Sequence, residues 1–444
     1  MRKNNGLIKG AAVLSVGTVL TKILGALFRV PLTSIIGVEG IGLYQMVFPF
    51  YCVLLTISST GIPSALSKLI AEGRNAEKVL YKSVIVFGTL GLAGSFAMFF
   101  LGEKLSVWQG NAGAAFAYKT LSPSVFVVSL ISCLRGYFQG KMNMVPTACS
   151  QIIEQGVKLI IALSVLVATK FSPYINAGLC TLAVTASEIV ALGYLLIKFK
   201  TSKKEQSDNE TVSVMKILSI VIPVALSSAL LPLSRAADSF LVIKLLPYDT
   251  ETATSLYGVY SGAIESLIGV PVALCHGLAI SGIPLIAKDK NGGNVFKLIV
   301  YTAVLSSAAW ILTVLFAPAV TQILYSGLSA EIKETMVELL RYSGIQIVFL
   351  SLLQSLTGVL IAKDNAVVAP ANLICGVIVK LALTFALVPD VRFSVKGMAI
   401  SDISCFFVAA MLDLLYIITI SKREKRQTAV VKTVGCKLKV KGGL

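Results

Sequence analysis

The sequence predicts an all-α polytopic membrane protein, with about twelve transmembrane helices in two six-helix lobes related by pseudo-two-fold symmetry. Three observations carry this. Of the 444 residues, 56% are apolar and only 14% charged, where soluble domains run near roughly 45–50% and about 25%. Nearly uncharged stretches of 20 or more residues recur along the chain, each long enough to cross about 30 Å of hydrocarbon as a helix. Segments half a chain apart also match one another.

Hydropathy places the spans at 10–36, 41–69, 80–101, 114–138, 146–169 and 174–197, then at 212–245, 255–287, 296–317, 336–361, 368–389 and 396–420. The most polar internal stretch, Lys198 to Thr211, separates the two sets. The expected organisation is therefore an N-lobe over 1–197, a cytoplasmic linker over 198–211, a C-lobe over 212–420 and a basic tail over 421–444. Met1-Arg2-Lys3 followed by an apolar run imitates a signal peptide. The run continues past Gly25 to Ile36, carries Lys22 and Arg29 and has no small-x-small cleavage site, so it is read as the first span. The longest outside loop is expected near 318–335.

The formal charge of +17 is concentrated in short loops. With the N-terminus in the cytoplasm, inside segments carry 26 Lys or Arg, and outside segments carry six: Lys104, Lys170, Lys244, Lys333, Arg392 and Lys396. This bias orients the chain with both termini cytoplasmic and requires an even number of spans. It accounts for the positive charge without nucleic acid as a partner. The tail after Ser421 holds eight of these basic residues and suits anionic lipid head groups.

An internal repeat supports the two lobes. At an offset of 222, Ser129-Leu130, Leu134, Gly136, Lys141 and Asn143 fall on Ser351-Leu352, Leu356, Gly358, Lys363 and Asn365, and Lys158 falls on Lys380. At an offset of 221, Gly61-Ile62-Pro63 falls on Gly282-Ile283-Pro284. Six spans per copy give both copies the same orientation, hence an axis along the membrane normal and a cavity between the lobes.

The pattern argues against an enzyme. The eight cysteines are scattered without a CxxC pair, and the one histidine, His276, cannot build a His-ligated metal centre or a Ser-His triad. Walker A, HExxH and GxSxG motifs are absent. No cofactor or metal is expected, and transport would draw on an ion gradient, the membrane potential or removal of substrate.

Charges within apolar spans are the informative residues, because each costs about 2.5–3.5 kcal/mol at a helix centre and needs a partner or a hydrated cavity. Lys22 and Arg29 stand seven apart, on one face of the first span, with no acid in that span. This suggests a cavity for an anion; snorkelling to the interfaces is the alternative. Glu154 and Lys158 form an i,i+4 pair able to satisfy itself, whereas Lys380 has no acid one turn away and is the better cavity candidate. Arg235 and Asp238 form an i,i+3 pair that either neutralises itself or contributes to a site. Candidate anion ligands are thus Lys22, Arg29, Arg235, Lys158 and Lys380. Candidate carriers of a coupling proton or sodium ion are Glu154, Asp238 and Glu265, with Glu188, Asp402 and Asp413 the other acids in or near spans. Pro49, Pro63, Pro271 and Pro284 permit bending and are candidate gating positions; static kinks are the alternative.

Residues 22–72 contain Arg29-Val-Pro31-Leu32-Thr33, then Gly37-Val-Glu39-Gly40-Ile41-Gly42-Leu43-Tyr44-Gln45-Met46, then Gly61-Ile-Pro63-Ser-Ala-Leu-Ser67-Lys68. This resembles the stage V sporulation protein B-like branch of the polysaccharide transporter family, within the multidrug/oligosaccharidyl-lipid/polysaccharide exporter superfamily, and the likeness extends more loosely over 5–420. The resemblance implies a two-lobe flippase carrying an undecaprenyl-pyrophosphate-linked sugar, such as a lipid II-type peptidoglycan precursor, across the cytoplasmic membrane. It also implies that first-helix cations, here Lys22 and Arg29, line the cavity. Relative to the lipid II flippases, this chain has Lys22 where Arg is usual and Leu43-Tyr44-Gln45 in place of an Asp-Ala-Phe motif. Two other readings remain open: an ion-coupled drug or cation antiporter of the same superfamily, which needs an unpaired acid facing the cavity, and a membrane scaffold or glycosyltransferase for wall synthesis.

Overall fold

The computed structural model describes residues 2–168, 171–202, 212–287, 293–363, 365 and 367–441. Its regular elements are all helical. Helix α1 (Arg2–Thr56) runs through a break at Gly37 and continues by a π-helical turn (Ile57–Gly61) into α2 (Ile62–Ala71). Then come α3 (Ala76–Gln109), α4 (Ala115–Gly140), α5 (Val145–Ala168) and α6 (Pro173–Lys200). The second half comprises α7 (Val214–Leu245), α8 (Thr250–Tyr257), a π-helical stretch (Gly258–Ile264) and α9 (Glu265–Ala287). It continues with α10 (Gly293–Leu315), α11 (Ala317–Leu324), α12 (Ala330–Ser343), α13 (Gln346–Ala362), α14 (Val368–Leu387) and α15 (Val395–Lys441).

Among the described residues, ten helices are long and apolar enough to cross a membrane, or eleven when α12 and α13, bent by 44° at their junction, count as one span. The expected first span, 10–36, falls on a part of α1 where most side chains lie outside the described ones. The stretch 318–335, expected as a loop, instead contains most of α11 and the start of α12. Pro318 at the head of α11 and Ser329, whose hydroxyl accepts from the Ile332 amide, provide the helix starts that hydropathy alone does not register.

Gly37 explains how the first two expected spans connect without a loop. Its φ of 74° and ψ of 174° lie in a region open essentially to glycine, so the helix breaks and kinks there at a single residue.

The two halves meet most closely at the end of the bundle formed by Gly37 and the α3–α4 and α7–α8 turns, here called the distal end. A Cβ on Gly42 would stand 2.2 Å from the Thr254 carbonyl oxygen, and one on Gly258 would stand 2.4 Å from that of Val38. Gly258 also faces Gly42 itself, whose nitrogen its Cβ would meet at 2.5 Å, so the backbones cross here because both positions are glycine. Asn111 donates to Thr254 (3.0 Å), and the Gln109 amide donates to Met46 O (2.7 Å) and Ser239 Oγ (3.0 Å), which ties the halves together by polar contacts. Toward the opposite end, Ile217, Val221 and Ala225 of α7 join a core built mainly from α2, α3, α4 and α6. Helix α7 therefore straddles the seam rather than belonging to its own half alone.

Candidate functional site

On the seam between the halves is a small cavity of about 40 Å³. Gln45, Phe48, Pro49 and Cys52 of α1 form one wall. Arg235 and Asp238 of α7, Glu265 of α9, Tyr257, Tyr260 and Ser261 around the π-helical stretch, and Met398 of α15 form the other. The π-helical stretch carries one extra residue per turn relative to an α-helix. It is buried from end to end and delivers Tyr260, Ser261 and Glu265 to the same space. Gln45 closes the distal side: its amide donates to the Ser261 carbonyl at 2.5 Å and to Ser261 Oγ at 3.1 Å, and Tyr257 donates to the Gln45 carbonyl at 3.3 Å.

Arg235 reaches into the cavity with its side chain 38% exposed. Its Nη2 stands 3.7 Å from Glu265 Oε1, beyond hydrogen-bond range, so the two form a loose charge pair with guanidinium donors left over for a ligand. Of the two expectations for Arg235 and Asp238, an i,i+3 pair that neutralises itself or one that contributes to a site, the first gives way. Asp238 turns away to Lys380 of α14, at 2.5 Å, because α14 presents a buried ammonium there and the cavity supplies Arg235 with Glu265.

Lys380 is held on two sides, by Asp238 and by Asp402 of α15 at 2.6 Å. Tyr260 donates to Asp402 Oδ2 at 2.9 Å, and Gln346 donates to the Tyr260 hydroxyl at 2.8 Å. The expectation that Lys380 faces the cavity is thus corrected: it is buried between carboxylates from two other helices. Its partners lie 142 and 22 residues away in sequence, beyond any i,i+4 rule. In this low-dielectric setting the single ammonium is shared by two carboxylates, and the Tyr260 hydroxyl gives Asp402 a further hydrogen bond.

The first half shows a parallel arrangement with different partners. Glu154 pairs with Arg135 of α4 at 3.0 Å, and Arg135 Nε also donates to Ser150 at 2.9 Å. Lys158 donates to Gln155 and lies 5.0 Å from the centre of the Phe28 ring. The expected Glu154–Lys158 pair gives way to these contacts because α4 brings Arg135 over Glu154, and Lys158 is buried rather than cavity-lining. Glu188 of α6 accepts from the Tyr51 hydroxyl at 2.5 Å.

Of the candidate gating prolines, Pro49 lines the cavity, Pro63 is buried in the first turn of α2, and Pro271 is half-buried within α9. The side chains of Lys22, Arg29 and Pro284 lie outside the described residues. Sequence reasoning missed Gln45, Tyr257, Tyr260 and Ser261 as lining residues, since neutral polar and aromatic residues in spans carry no charge penalty to flag them. Asp402 was visible as an intramembrane acid but had no rank until Lys380 was seen beside it.

Residues 7–288 match the family model described as polysaccharide biosynthesis protein. The chain belongs to that family. It is similar to stage V sporulation protein B of Bacillus subtilis (strain 168), 28% identical over 94% of this chain and 83% of that one. It is also similar to lipid II flippase MurJ of the same organism, 26% identical over 91% of this chain and 81% of that one. Among solved structures, an inward-facing multidrug resistance MATE family transporter of the MOP superfamily superposes with a TM-score of 0.77 at 15% identity, covering 94% of this chain and 99% of that one. A MOP superfamily transporter from Pyrococcus furiosus, described as having a binding pocket of reversed polarity, superposes with a TM-score of 0.65 at 16% identity, over 95% and 96% of the two chains. The fold is that of the two-lobe MOP transporters, which confirms the all-α, multi-pass architecture read from the sequence.

Proposed function

We propose that this protein is a flippase that moves an undecaprenyl-pyrophosphate-linked sugar, of the lipid II type or another lipid-linked oligosaccharide, from the inner to the outer leaflet by alternating access. The observation that carries this reading is Arg235: an intramembrane guanidinium, exposed to a cavity between the lobes and only loosely held by Glu265. A forked, permanently charged donor at that place suits a pyrophosphate, which accepts two parallel hydrogen bonds from it. Lys22 and Arg29 of α1 are assigned to the same anion. Lys158 and Lys380 are assigned instead to holding the helices of each lobe together. Both termini are placed in the cytoplasm, with the N-lobe, linker, C-lobe and tail divided as the charge and hydropathy patterns divide them.

The family and the similarity to lipid II flippase MurJ support this substrate class. The cavity supports the mechanism: it is closed toward the distal end by Gln45, Ser261 and Tyr257 and flanked on α1 by Pro49, where the missing backbone hydrogen bond permits bending. Complementation of a flippase-deficient strain tests it. Wild type should restore growth, Arg235→Ala should not, and Arg235→Lys should restore it partially, because a point charge replaces the fork. Full growth with Arg235→Ala at normal membrane abundance would remove this site.

One observation favours a second reading. Glu265 also faces the cavity, and an acid there suits an organic cation. If overexpression raises drug resistance and Glu265→Gln abolishes that, while lipid-linked sugar stays in the inner leaflet, the antiporter reading replaces the first.

A further inference from the structure

The three acids expected from the sequence to carry a coupling ion each stand beside a cation: Glu154 beside Arg135, Asp238 beside Lys380, and Glu265 beside Arg235. Asp402 shares Lys380. These four acids already serve as ion-pair partners that tie helices or line the cavity. Two intramembrane acids differ. Asp413 of α15 accepts from Asn372 of α14 at 2.8 Å, with Oδ2 unbonded among the described residues. Its partner helix, however, contributes no residue to the cavity.

Glu188 is connected to the cavity. It is 1% exposed and accepts from Tyr51 on Oε1, and its Oε2 has no hydrogen-bond partner among the described residues. Helix α6 packs against α1, α4 and α5. From these come the groups that face Glu188: Tyr51 of α1, Ser124 of α4, and Glu154 and Lys158 of α5. Glu154 is engaged by Arg135, and Lys158 by Gln155 and the Phe28 ring. An ionised carboxylate with a bare Oε2, facing the Glu154 carboxylate, pays a desolvation cost that the Tyr51 and Ser124 hydroxyls and the Lys158 charge only partly offset, whereas a neutral carboxyl with its proton on Oε2 and Oε1 accepting from Tyr51 avoids it. Tyr51 lies between Pro49 and Cys52, two residues that line the cavity on the same helix.

We propose that Glu188 is a proton-binding site of the N-lobe, latched to the cavity helix through Tyr51, so that gain and loss of its proton accompany the movement of α1. The step is one protonation, Glu188 carboxylate plus a proton from water giving the neutral carboxyl. The reverse occurs when α1 shifts, Tyr51 withdraws and water reaches Oε2. This deepens the flippase reading and rests on it only for the link to substrate movement.

Infrared difference spectra of the full-length protein in lipid, taken between alkaline and acidic pH, test the site. Wild type should show a carbonyl-stretch band of a protonated, buried carboxyl. Glu188→Gln should lose that band, Glu188→Asp should keep one, and Tyr51→Phe should move it to higher frequency, since a hydrogen bond to the carbonyl oxygen is gone. In proteoliposomes, leaflet translocation should respond several-fold to an imposed pH gradient in wild type and not in Glu188→Gln. A band unchanged in Glu188→Gln overturns the proposal, as does a band that sodium chloride at fixed pH shifts as acid does. If the band behaves as expected while no lipid-linked sugar moves under any condition, the proton site stands and the flippase reading falls. If sugar moves with no Glu188 band at any pH, the reverse holds.

Discussion

Replacing Lys380 by methionine removes the ammonium that stands 2.5 Å from Asp238 and 2.6 Å from Asp402 while roughly preserving side-chain volume. Two carboxylates, both buried, are then left facing each other, with the Tyr260 hydroxyl on one of them the remaining hydrogen-bond donor among the described residues. Removing one member of a buried charge cluster costs about 3–5 kcal/mol, because what remains is an uncompensated charge in a medium that solvates it poorly. For a chain of 444 residues that corresponds to a fall in apparent melting temperature on the order of 3–5 °C. The same principle predicts recovery when the remaining charges are also removed, since replacing a whole buried ionic cluster by neutral groups of similar size is often close to neutral. The triple variant Lys380→Met with Asp238→Asn and Asp402→Asn should therefore melt near wild type in detergent-solubilised thermal scans. If Lys380→Met melts with wild type, or if the triple variant is no better than the single one, the cluster does not work as an electrostatic tie between α7, α14 and α15.

Other outcomes follow from the same geometry. Gly37→Ala forces a side chain into a glycine-only backbone region and should cost about 1–3 kcal/mol in thermal or denaturant unfolding, although nothing lies within 4 Å of its Cβ. Arg135→Met strands Glu154 and the Ser150 hydroxyl and should cost about 1.5–3 kcal/mol, read by the same scan, with Glu154→Gln in that background restoring part of it. Gly42→Val pushes a branched side chain against the Thr254 backbone and should pry open the distal contact, seen as faster labelling of the cavity cysteine Cys52 by a water-soluble maleimide. In the α14–α15 turn, Arg392 holds the Asp390 carboxyl down to about 2 from 3.8. The stabilisation this gives is full above the unfolded value and is lost as pH falls from about 4 through 2, so Asp390→Asn should flatten the acid limb of stability over that window.

Much of the architecture was readable because a bilayer imposes length and polarity rules on each span separately. The break at Gly37 falls in the gap left between 10–36 and 41–69, and the repeat that set Lys158 over Lys380 found two buried lysines, one in each half. Pairings were not readable. Lys380 looked solitary because its carboxylates arrive from α7 and α15, and Arg235 and Asp238, adjacent on one helical face, turned to different partners. Helix periodicity reports which side of a helix a residue occupies, not which helix lies opposite. The lining roles of Gln45, quoted only as part of a motif, and of Tyr260 were not legible for a related reason: they lie in bonds to other helices, which no local pattern reports.

The central claim is that the Arg235 guanidinium, open to the cavity between the lobes, binds the phosphorylated head group during transfer between leaflets. Reconstitution with a fluorescent undecaprenyl-pyrophosphate-linked sugar, followed by quenching of the outer leaflet, measures it directly. The account predicts that wild-type vesicles become fully quenchable while Arg235→Ala vesicles stay at the protein-free level with correctly folded protein present. Equal translocation by wild type and Arg235→Ala, or none by a wild type that exports organic cations instead, would contradict it.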